Sequence, residues 1–165
     1  MIRKAELRDM PAICRLLEQL DYPGTENFLH QRLEKMLTDP AETLLVWEAE
    51  THTTPTPSAS TPPPTTPTPP TSSAPAQILG ILSLHFIPQL ALEGDFARIS
   101  YFAIDTTARG TGIGREMEEY ATQLAREKGC QLVEVHCHTR RTRAHDFYFR
   151  QGYEESPKYL IKRLK

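Results

Sequence analysis

The chain of 165 residues is long enough for one domain with a sizeable core, and its composition excludes several classes of protein. A net charge of −2 and a pI near 6.3 predict no basic surface for a nucleic-acid partner. The sequence contains no run of about 18 apolar residues, the length needed to cross a membrane, and residues 1–6 lack the apolar segment of a signal peptide. We therefore expect a cytoplasmic protein with no membrane partner.

The cysteines do not predict a cross-linked or zinc-bound protein. Cys14, Cys130 and Cys137 are odd in number and have no Cys-x-x-Cys spacing. Disulfide frameworks use paired cysteines, and zinc sites use short, regular spacings. We therefore interpret the three side chains as buried thiols.

The first elements are predicted from apolar periodicity and helix-end residues. A strand over 1–6 comes first, and Asp9 with Pro11 predicts the start of a helix that ends at the sequence Tyr22-Pro23-Gly24. A second helix is predicted over about 27–37, before the Asp-Pro pair that follows it.

Residues 51–76 form a low-complexity segment. They hold nine of the fourteen prolines and no Asp, Glu, Lys or Arg, so they cannot bury enough apolar surface to offset the entropy of ordering. The flanking runs 43–49 and 78–86 are typical of strands. We predict one domain over 1–165, in which 51–76 is a disordered insertion at the tip of a β-hairpin; a docking motif and a glycosylated stalk are the alternatives.

The second half predicts alternating strands and helices. A strand over about 96–105 leads through glycines into a helix that ends at Gly129. A strand over 132–138, a helix that carries Phe147 and Tyr148, and a last strand follow. These elements predict an α/β fold with a mixed sheet and helices on both faces.

The stretch Arg109-Gly110-Thr111-Gly112-Ile113-Gly114 predicts a phosphate cradle. A helix start leaves about four backbone N–H groups without partners and carries partial positive charge. The glycines remove the Cβ atoms that would hold a ligand away from the backbone. Arg109 and Arg115 flank the turn with positive charge and with donors suited to phosphate.

Two other phosphate motifs do not fit this spacing. A P-loop requires Lys and Ser or Thr after its last glycine, but Gly114 is followed by Arg115 and Glu116. A dinucleotide fingerprint requires Gly-x-Gly-x-x-Gly early in a βαβ unit, whereas this run is Gly-x-Gly-x-Gly in the last third of the chain.

The pattern Arg-x-x-Gly-x-Gly at Arg109, Gly112 and Gly114 resembles the cofactor turn of the GCN5-related N-acetyltransferase (GNAT) family. The block from Arg141 to Tyr153, Arg-x-x-Ala-His-x-Phe-Tyr-x-x-x-Gly-Tyr, is similar to the family's C-terminal motif and to aminoalkylphosphonate N-acetyltransferases in particular. The resemblance covers the chain except 51–76. It implies a mostly antiparallel α+β sheet with splayed fourth and fifth strands.

The resemblance also implies a cofactor site and a catalytic residue. Acetyl-CoA is the implied co-substrate, and no metal is expected. Tyr148 is the implied acid for the departing thiolate. The implied cofactor contacts lie on the fourth strand, the turn and the C-terminal motif: Phe102, Ala103, Ile104, Arg109, Gly110, Thr111, Gly112, Ile113, Gly114, Arg115 and Arg141.

The implied reaction is direct transfer of acetyl onto a primary amine of a small molecule, such as an aminophosphonate, another amino compound or an antibiotic-like amine. The alternatives are a non-catalytic acyl-CoA-binding regulatory module and an acetyltransferase of peptide or protein N-termini. The sequence leaves the oligomeric state open, with a homodimer as the commonest arrangement of soluble oligomers.

The general base stays open. The family often carries a glutamate on the fourth strand, where this chain reads Arg98-Ile99-Ser100-Tyr101-Phe102. Glu134, His136 and His138 are spaced by two, so they would share one face of the predicted fifth strand. A water relay is an equal alternative. A metal site made of His136 and His138, with His85 as a candidate third ligand, is a further alternative, although the sequence fixes no third ligand.

Overall fold

The computed structural model of the chain describes residues 1–50, 77–156, 160 and 162–164. The predicted insertion over 51–76 lies outside the described residues, as does part of the predicted last strand. The described chain divides into two compact units, Met1–Glu134 and Val135–Lys165. Its strands are β1 Ile2–Lys4, β2 Glu42–Glu48, β3 Ile78–Ile87, β4 Asp95–Ile104 and β5 Cys130–Val135. Its α-helices are α1 Met10–Glu18, α2 Leu29–Thr38, α3 Ile113–Glu127 and α4 Thr142–Arg150.

The strands form one mixed sheet in the order β1-β2-β3-β4-β5. The first four strands are antiparallel neighbours, and β5 runs parallel to β4. This architecture confirms the predicted α/β, mostly antiparallel sheet. The Ala49 N–H donates to the Gln77 carbonyl at 2.8 Å, so β2 and β3 pair up to the two ends of the segment 51–76.

Helices cover both faces of the sheet, as predicted. Leu16 of α1 and Leu33 of α2 are fully buried on the face that carries Val46 and Ile81. Successive strand residues point to opposite faces, so Gly80 faces the other side. A Cβ built on Gly80 would lie 2.6 Å from the Met117 Sδ of α3, which shows how closely that helix approaches β3.

A β-bulge interrupts the pairing of β3 with β4. Ser83 is opposite Tyr101, but the next residue, Leu84, is opposite Ile99, which leaves Ser100 as the extra residue. The bulge reverses the alternation of side chains along β4. Residues before the bulge therefore face the sides opposite to those that they would have if the alternation of the residues after it continued regularly.

Two predicted helix starts differ in detail. Gly24 has a positive φ of 77° and opens a 3-10 turn over Thr25–Asn27, so α2 starts at Leu29. Asp9 occupies the N-cap position of α1 without capping it by its side chain. Its carboxylate instead accepts bonds from the Arg3 guanidinium at 2.7 and 2.8 Å.

The prediction that Glu134, His136 and His138 share one face of the fifth strand is wrong. β5 ends at Val135, so only Glu134 of the three lies on the strand, and His136 and His138 follow its end. The physical reason is that a turn centred on residues 138–141 leads directly into α4. Within the described residues, no helix is both long and apolar enough to span a bilayer.

Candidate functional site

The glycine turn joins β4 to α3 through backbone conformations that favour glycine. β4 ends at Ile104 and a 3-10 turn covers Thr106–Ala108. Gly110 and Gly112 then have φ values of 82° and 95°, which L side chains rarely adopt. Gly112 is the N-cap of α3 and has no side chain to satisfy the first N–H groups of the helix.

Asp105 fixes the turn to the end of β4. Its carboxylate accepts bonds from the Thr107 N–H at 3.0 Å and from Thr107 Oγ1 at 2.7 Å. These bonds to Thr107 hold the pKa of Asp105 below its ordinary value. The Thr106 N–H donates to Gln19 Oε1 at 3.0 Å, and Arg15 Nη2 lies 3.4 Å from Asp105 Oδ2. The turn is therefore held in place before any ligand binds.

Five backbone N–H groups of the turn have no hydrogen-bond acceptor within the described part of the chain: those of Gly110, Gly112, Ile113, Gly114 and Arg115. The Glu116 N–H is the first to bond back, to the Gly112 carbonyl at 3.0 Å. A Cβ built at Gly110 or Gly112 would meet nothing within 4 Å. The turn thus has unused backbone donors and the partial positive charge of a helix start, which is what an anion requires.

The side chains of the turn also bond within the protein. Arg109 Nε donates to the Ile104 carbonyl at 3.2 Å, and Thr111 Oγ1 donates to the Ala108 carbonyl at 2.7 Å. Arg115 Nε donates to Glu119 Oε1 at 2.7 Å. That bond from a carboxylate neighbour raises the pKa of the exposed Arg115 above its ordinary value. Each of these side chains is therefore partly engaged within the protein, whereas the five backbone N–H groups are not.

The other predicted contacts of the first unit lie on the same continuous segment. Phe102, Ala103 and Ile104 are the last residues of β4 and pair with Leu82, Ile81 and Gly80 of β3. One stretch, 102–115, therefore carries every predicted cofactor contact except Arg141.

Tyr148 belongs to the second unit, where it is 9% exposed. Its ring centroid lies 5.2 Å from that of Phe147 and 5.2 Å from that of Tyr153. The Tyr153 N–H donates to the Tyr148 carbonyl at 3.1 Å, past Gly152 with its φ of 88°. The Phe-Tyr and Gly-Tyr pairs of the sequence thus form one local aromatic cluster.

Arg141 also lies in the second unit, directly before α4. Its carbonyl accepts bonds from the N–H groups of Ala144 and His145 at 2.9 and 3.1 Å, and its own N–H donates to the His138 carbonyl at 2.9 Å. The Arg140 N–H donates to His138 Nδ1 at 3.2 Å. His138 therefore takes part in the turn that starts the helix.

The candidate general bases differ in their surroundings. Glu134 is ion-paired: Arg98 Nε and Nη2 lie 2.7 and 2.6 Å from its Oε1. His136 follows the end of β5 and is exposed. Among residues 1–50 and 77–156, no group of three or more His, Cys, Asp or Glu side chains is arranged to hold a metal ion.

The cysteines are free thiols and are half-buried, less than the buried thiols that the sequence predicted. Burial raises the pKa of the Cys137 thiol, with Arg141 opposing it, and burial also raises the pKa of Cys130. Raised pKa values disfavour the reactive thiolate. This supports a structural role for both side chains.

One group of residues emerges only from the strand register. Glu42, His85, Arg98 and Glu134 follow each other across β2, β3, β4 and β5 on one face of the sheet, and we call them the polar row. No local motif of the sequence connects these residues, because they are far apart along the chain. The sequence would have indicated this group only if the strands had first been paired in the correct register.

Two comparisons of sequence bear on this site. A model of the acetyltransferase (GNAT) family matches residues 10–153. An aminoalkylphosphonate N-acetyltransferase of Salmonella typhimurium is 31% identical over 88 residues, which are 53% of this chain and 57% of that protein. The chain thus matches just over half the length of this curated relative.

Solved structures show the same fold over almost the whole chain. Glucosamine-6-phosphate N-acetyltransferase of Arabidopsis thaliana superposes with a TM-score of 0.74 at 20% identity, covering 100% of this chain and 98% of that one. An aminoglycoside acetyltransferase from an uncultured soil metagenomic sample has a TM-score of 0.68 at 22% identity, covering 100% and 96%.

Proposed function

The chain belongs to the acetyltransferase (GNAT) family, and we propose on that premise that it transfers the acetyl group of acetyl-CoA to a primary amine of a small molecule. The observation that carries the proposal is the turn between β4 and α3. Its five N–H groups, at Gly110 and from Gly112 to Arg115, have no acceptor within the described residues, and a Cβ at Gly110 or Gly112 would meet no described atom within 4 Å.

The residues of the turn fit the diphosphate of acetyl-CoA. Backbone donors at a helix start suit phosphate oxygens, and the missing Cβ atoms allow close approach. The backbone of Phe102–Ile104 would hold the pantetheine arm in the manner of an added strand. Arg109, Arg115 and Arg141 would add cationic donors. Acetyl-CoA supplies the activated acetyl group as a thioester.

Two proton transfers accompany the acetyl transfer: the amine must lose a proton, and the departing thiolate must gain one. An alkyl ammonium with a pKa near 10.4 is deprotonated in only about one part in a thousand at pH 7, which costs roughly 4–5 kcal/mol. A base, a water chain or desolvation must lower this cost. Tyr148 is the proposed acid for the departing thiolate; its packing against Phe147 and Tyr153 would hold the phenol in one orientation.

Among acceptors, an aminophosphonate or a similar amino compound is the first candidate. The relative of Salmonella typhimurium supports it by name and by 31% identity, and the block from Arg141 to Tyr153 supports it by motif. The structural neighbours act by name on glucosamine-6-phosphate and on aminoglycosides, so antibiotic-like amines belong in the same panel.

Calorimetry with CoA and a thiol-release assay with a panel of amines test the proposal. We expect CoA to bind and at least one small primary amine to be acetylated. CoA binding without turnover of any small amine or peptide N-terminus would instead support a regulatory acyl-CoA-binding module. Absence of CoA binding would overturn both readings.

A further inference from the structure

The polar row places ionisable side chains next to one another on one face of the sheet. Glu42 is opposite His85 in the register of β2 and β3, and His85 is opposite Arg98 in the register of β3 and β4. Residues directly opposite each other in neighbouring strands share a face. Arg98 in turn contacts Glu134 of β5, which extends the row across four strands.

The bulge at Ser100 puts Arg98 on this face. Tyr101 is opposite Ser83, so in a regular strand Ile99 would follow it on the same face and Arg98 would point to the α3 side. The bulge instead turns Ile99, which is 2% exposed, into the core and leaves Arg98 in the polar row. Compared with a regular strand, Ile99 and Arg98 have therefore exchanged faces of the sheet.

The ion pair of Arg98 with Glu134 keeps unused bonding capacity. Both bonding nitrogens of Arg98, Nε and Nη2, contact the same oxygen, Oε1. Arg98 Nη1 and Glu134 Oε2 make no hydrogen bond within the described residues. The two side chains are 37% and 27% exposed, so a small polar molecule can reach both.

Other polar atoms on this face also lack partners. Glu42 Oε2 is buried without a hydrogen bond in the described structure, and His85 Nδ1 lies 3.8 Å from Oε1 of the same carboxylate. Ser83 Oγ, in a residue that is 1% exposed and two positions from His85 along β3, is likewise unsatisfied. Buried polar atoms without partners are uncommon in folded proteins, and bound ligands are one explanation for them.

An aromatic pair lies between the polar row and the end of β4. The rings of Tyr22 and Tyr101 meet edge to face with centroids 5.5 Å apart, and both remain partly exposed. Along β4 the order is therefore Arg98, the bulge, Tyr101, and then the backbone proposed to hold pantetheine. An alkyl chain could lie against the tyrosines between a charged group at Arg98 and that strand end.

We propose that Arg98 and Glu134 form the acceptor-selecting pair: the guanidinium binds an anionic group, and the carboxylate attracts the ammonium of the same small molecule. The inference rests on the proposed acetyl transfer and deepens it. It assigns an acceptor with a carboxylate or phosphonate within a few carbon atoms of its primary amine. In the competing explanation, the ion pair only links β4 to β5.

Three amines of similar length separate these explanations in the thiol-release assay: 2-aminoethylphosphonate, β-alanine and n-propylamine. We expect kcat/KM to be at least about tenfold higher for an anionic amine than for n-propylamine, as a charge-assisted contact provides. The comparison of 2-aminoethylphosphonate with β-alanine identifies which anionic group is preferred. Equal kcat/KM for all three amines would overturn the proposal.

The decisive variant is Arg98→Gln with Glu134→Gln, which removes both charges together and leaves no unpaired charge. We expect its preference for the anionic amine to fall to within about threefold of n-propylamine. The matched control is Arg8→Gln with Glu6→Gln, another Arg–Glu pair, at 3.0 Å and well exposed, in the first unit. The control should keep the preference; a double variant at 98 and 134 that also keeps it contradicts the proposal.

A binding measurement decides the inference even if no amine is turned over. Calorimetry with 2-aminoethylphosphonate and with β-alanine, in the presence of CoA, should detect binding of at least one to the wild-type chain. The Arg98→Gln, Glu134→Gln variant should lose it and the control should retain it. If neither probe binds to the wild-type chain, the proposed acceptor site is overturned. If CoA does not bind, the proposed acetyl transfer is overturned.

Discussion

Gly112 and Gly129 bound α3 at its two ends with positive φ values of 95° and 77°, and a Cβ at either position would meet nothing within 4 Å. Replacement by alanine should therefore cost similar backbone strain at both ends, about 1–2 kcal/mol. Only Gly112 belongs to the proposed cradle. Comparing alanine variants at the two positions therefore separates the effect of backbone strain from the effect on ligand binding.

For Gly112→Ala we expect at least about tenfold weaker CoA binding by calorimetry, because the new methyl group stands where the diphosphate would approach the backbone. Gly129→Ala should lose comparable stability in urea denaturation and bind CoA normally. Equal affinity for CoA in both variants would exclude the cradle.

Tyr148→Phe tests the proposed acid. Loss of the hydroxyl should lower kcat by about 100-fold, the lower end for general acid catalysis, with little change in CoA affinity. Tyr153→Phe is the matched control, since its ring lies 5.2 Å from that of Tyr148 in the same cluster. A Tyr148→Phe enzyme with unchanged kcat would show that this tyrosine only packs.

The Arg3–Asp9 pair predicts a pH-dependent contribution to stability. Burial alone would raise the pKa of Asp9, but bonds from Arg3 and from the Glu6 N–H outweigh it and hold that pKa below its ordinary value. Arg3 also lowers the pKa of Glu48 through a 2.9 Å bond. A carboxylate with a lowered pKa stabilises the fold above its ordinary pKa, and this contribution is lost as the pH falls through the folded-state value.

Asp9→Asn should therefore lower the free energy of unfolding by about 2 kcal/mol near neutral pH, less than for a fully buried pair. The deficit relative to wild type should shrink as the pH falls below the ordinary value of 3.8. Urea denaturation at several pH values measures it, with Glu26→Gln, an exposed acid, as the control. A deficit that does not depend on pH would contradict the linkage.

Replacing residues 51–76 by a two-residue turn tests the predicted insertion. Ala49 and Gln77 are already bonded across the hairpin, so a tight turn can join β2 and β3. Shortening the loop should add roughly 2 kcal/mol to the free energy of unfolding by the logarithmic rule for loop closure. Unchanged kcat/KM would support an idle insertion; a lower value would assign the segment a functional role.

Local patterns predicted the elements well where neighbouring residues decide the structure. The start of α3 directly after Gly112 and its end before Gly129 follow from glycines that adopt positive φ. Boundaries were less accurate where contacts distant in sequence decide them. Asp9 is drawn away from its capping role by Arg3, and the turn around His138 ends β5 before the predicted residue.

The amino-acid sequence by itself determined the glycine turn, the apolar stripes of the helices and the strands beside residues 51–76, because a few consecutive residues decide each of them. Only the tertiary structure decided which side chains meet across the sheet. Arg98 faces Glu134 because one extra residue at Ser100 reverses the alternation of β4, and that register depends on pairing between distant strands.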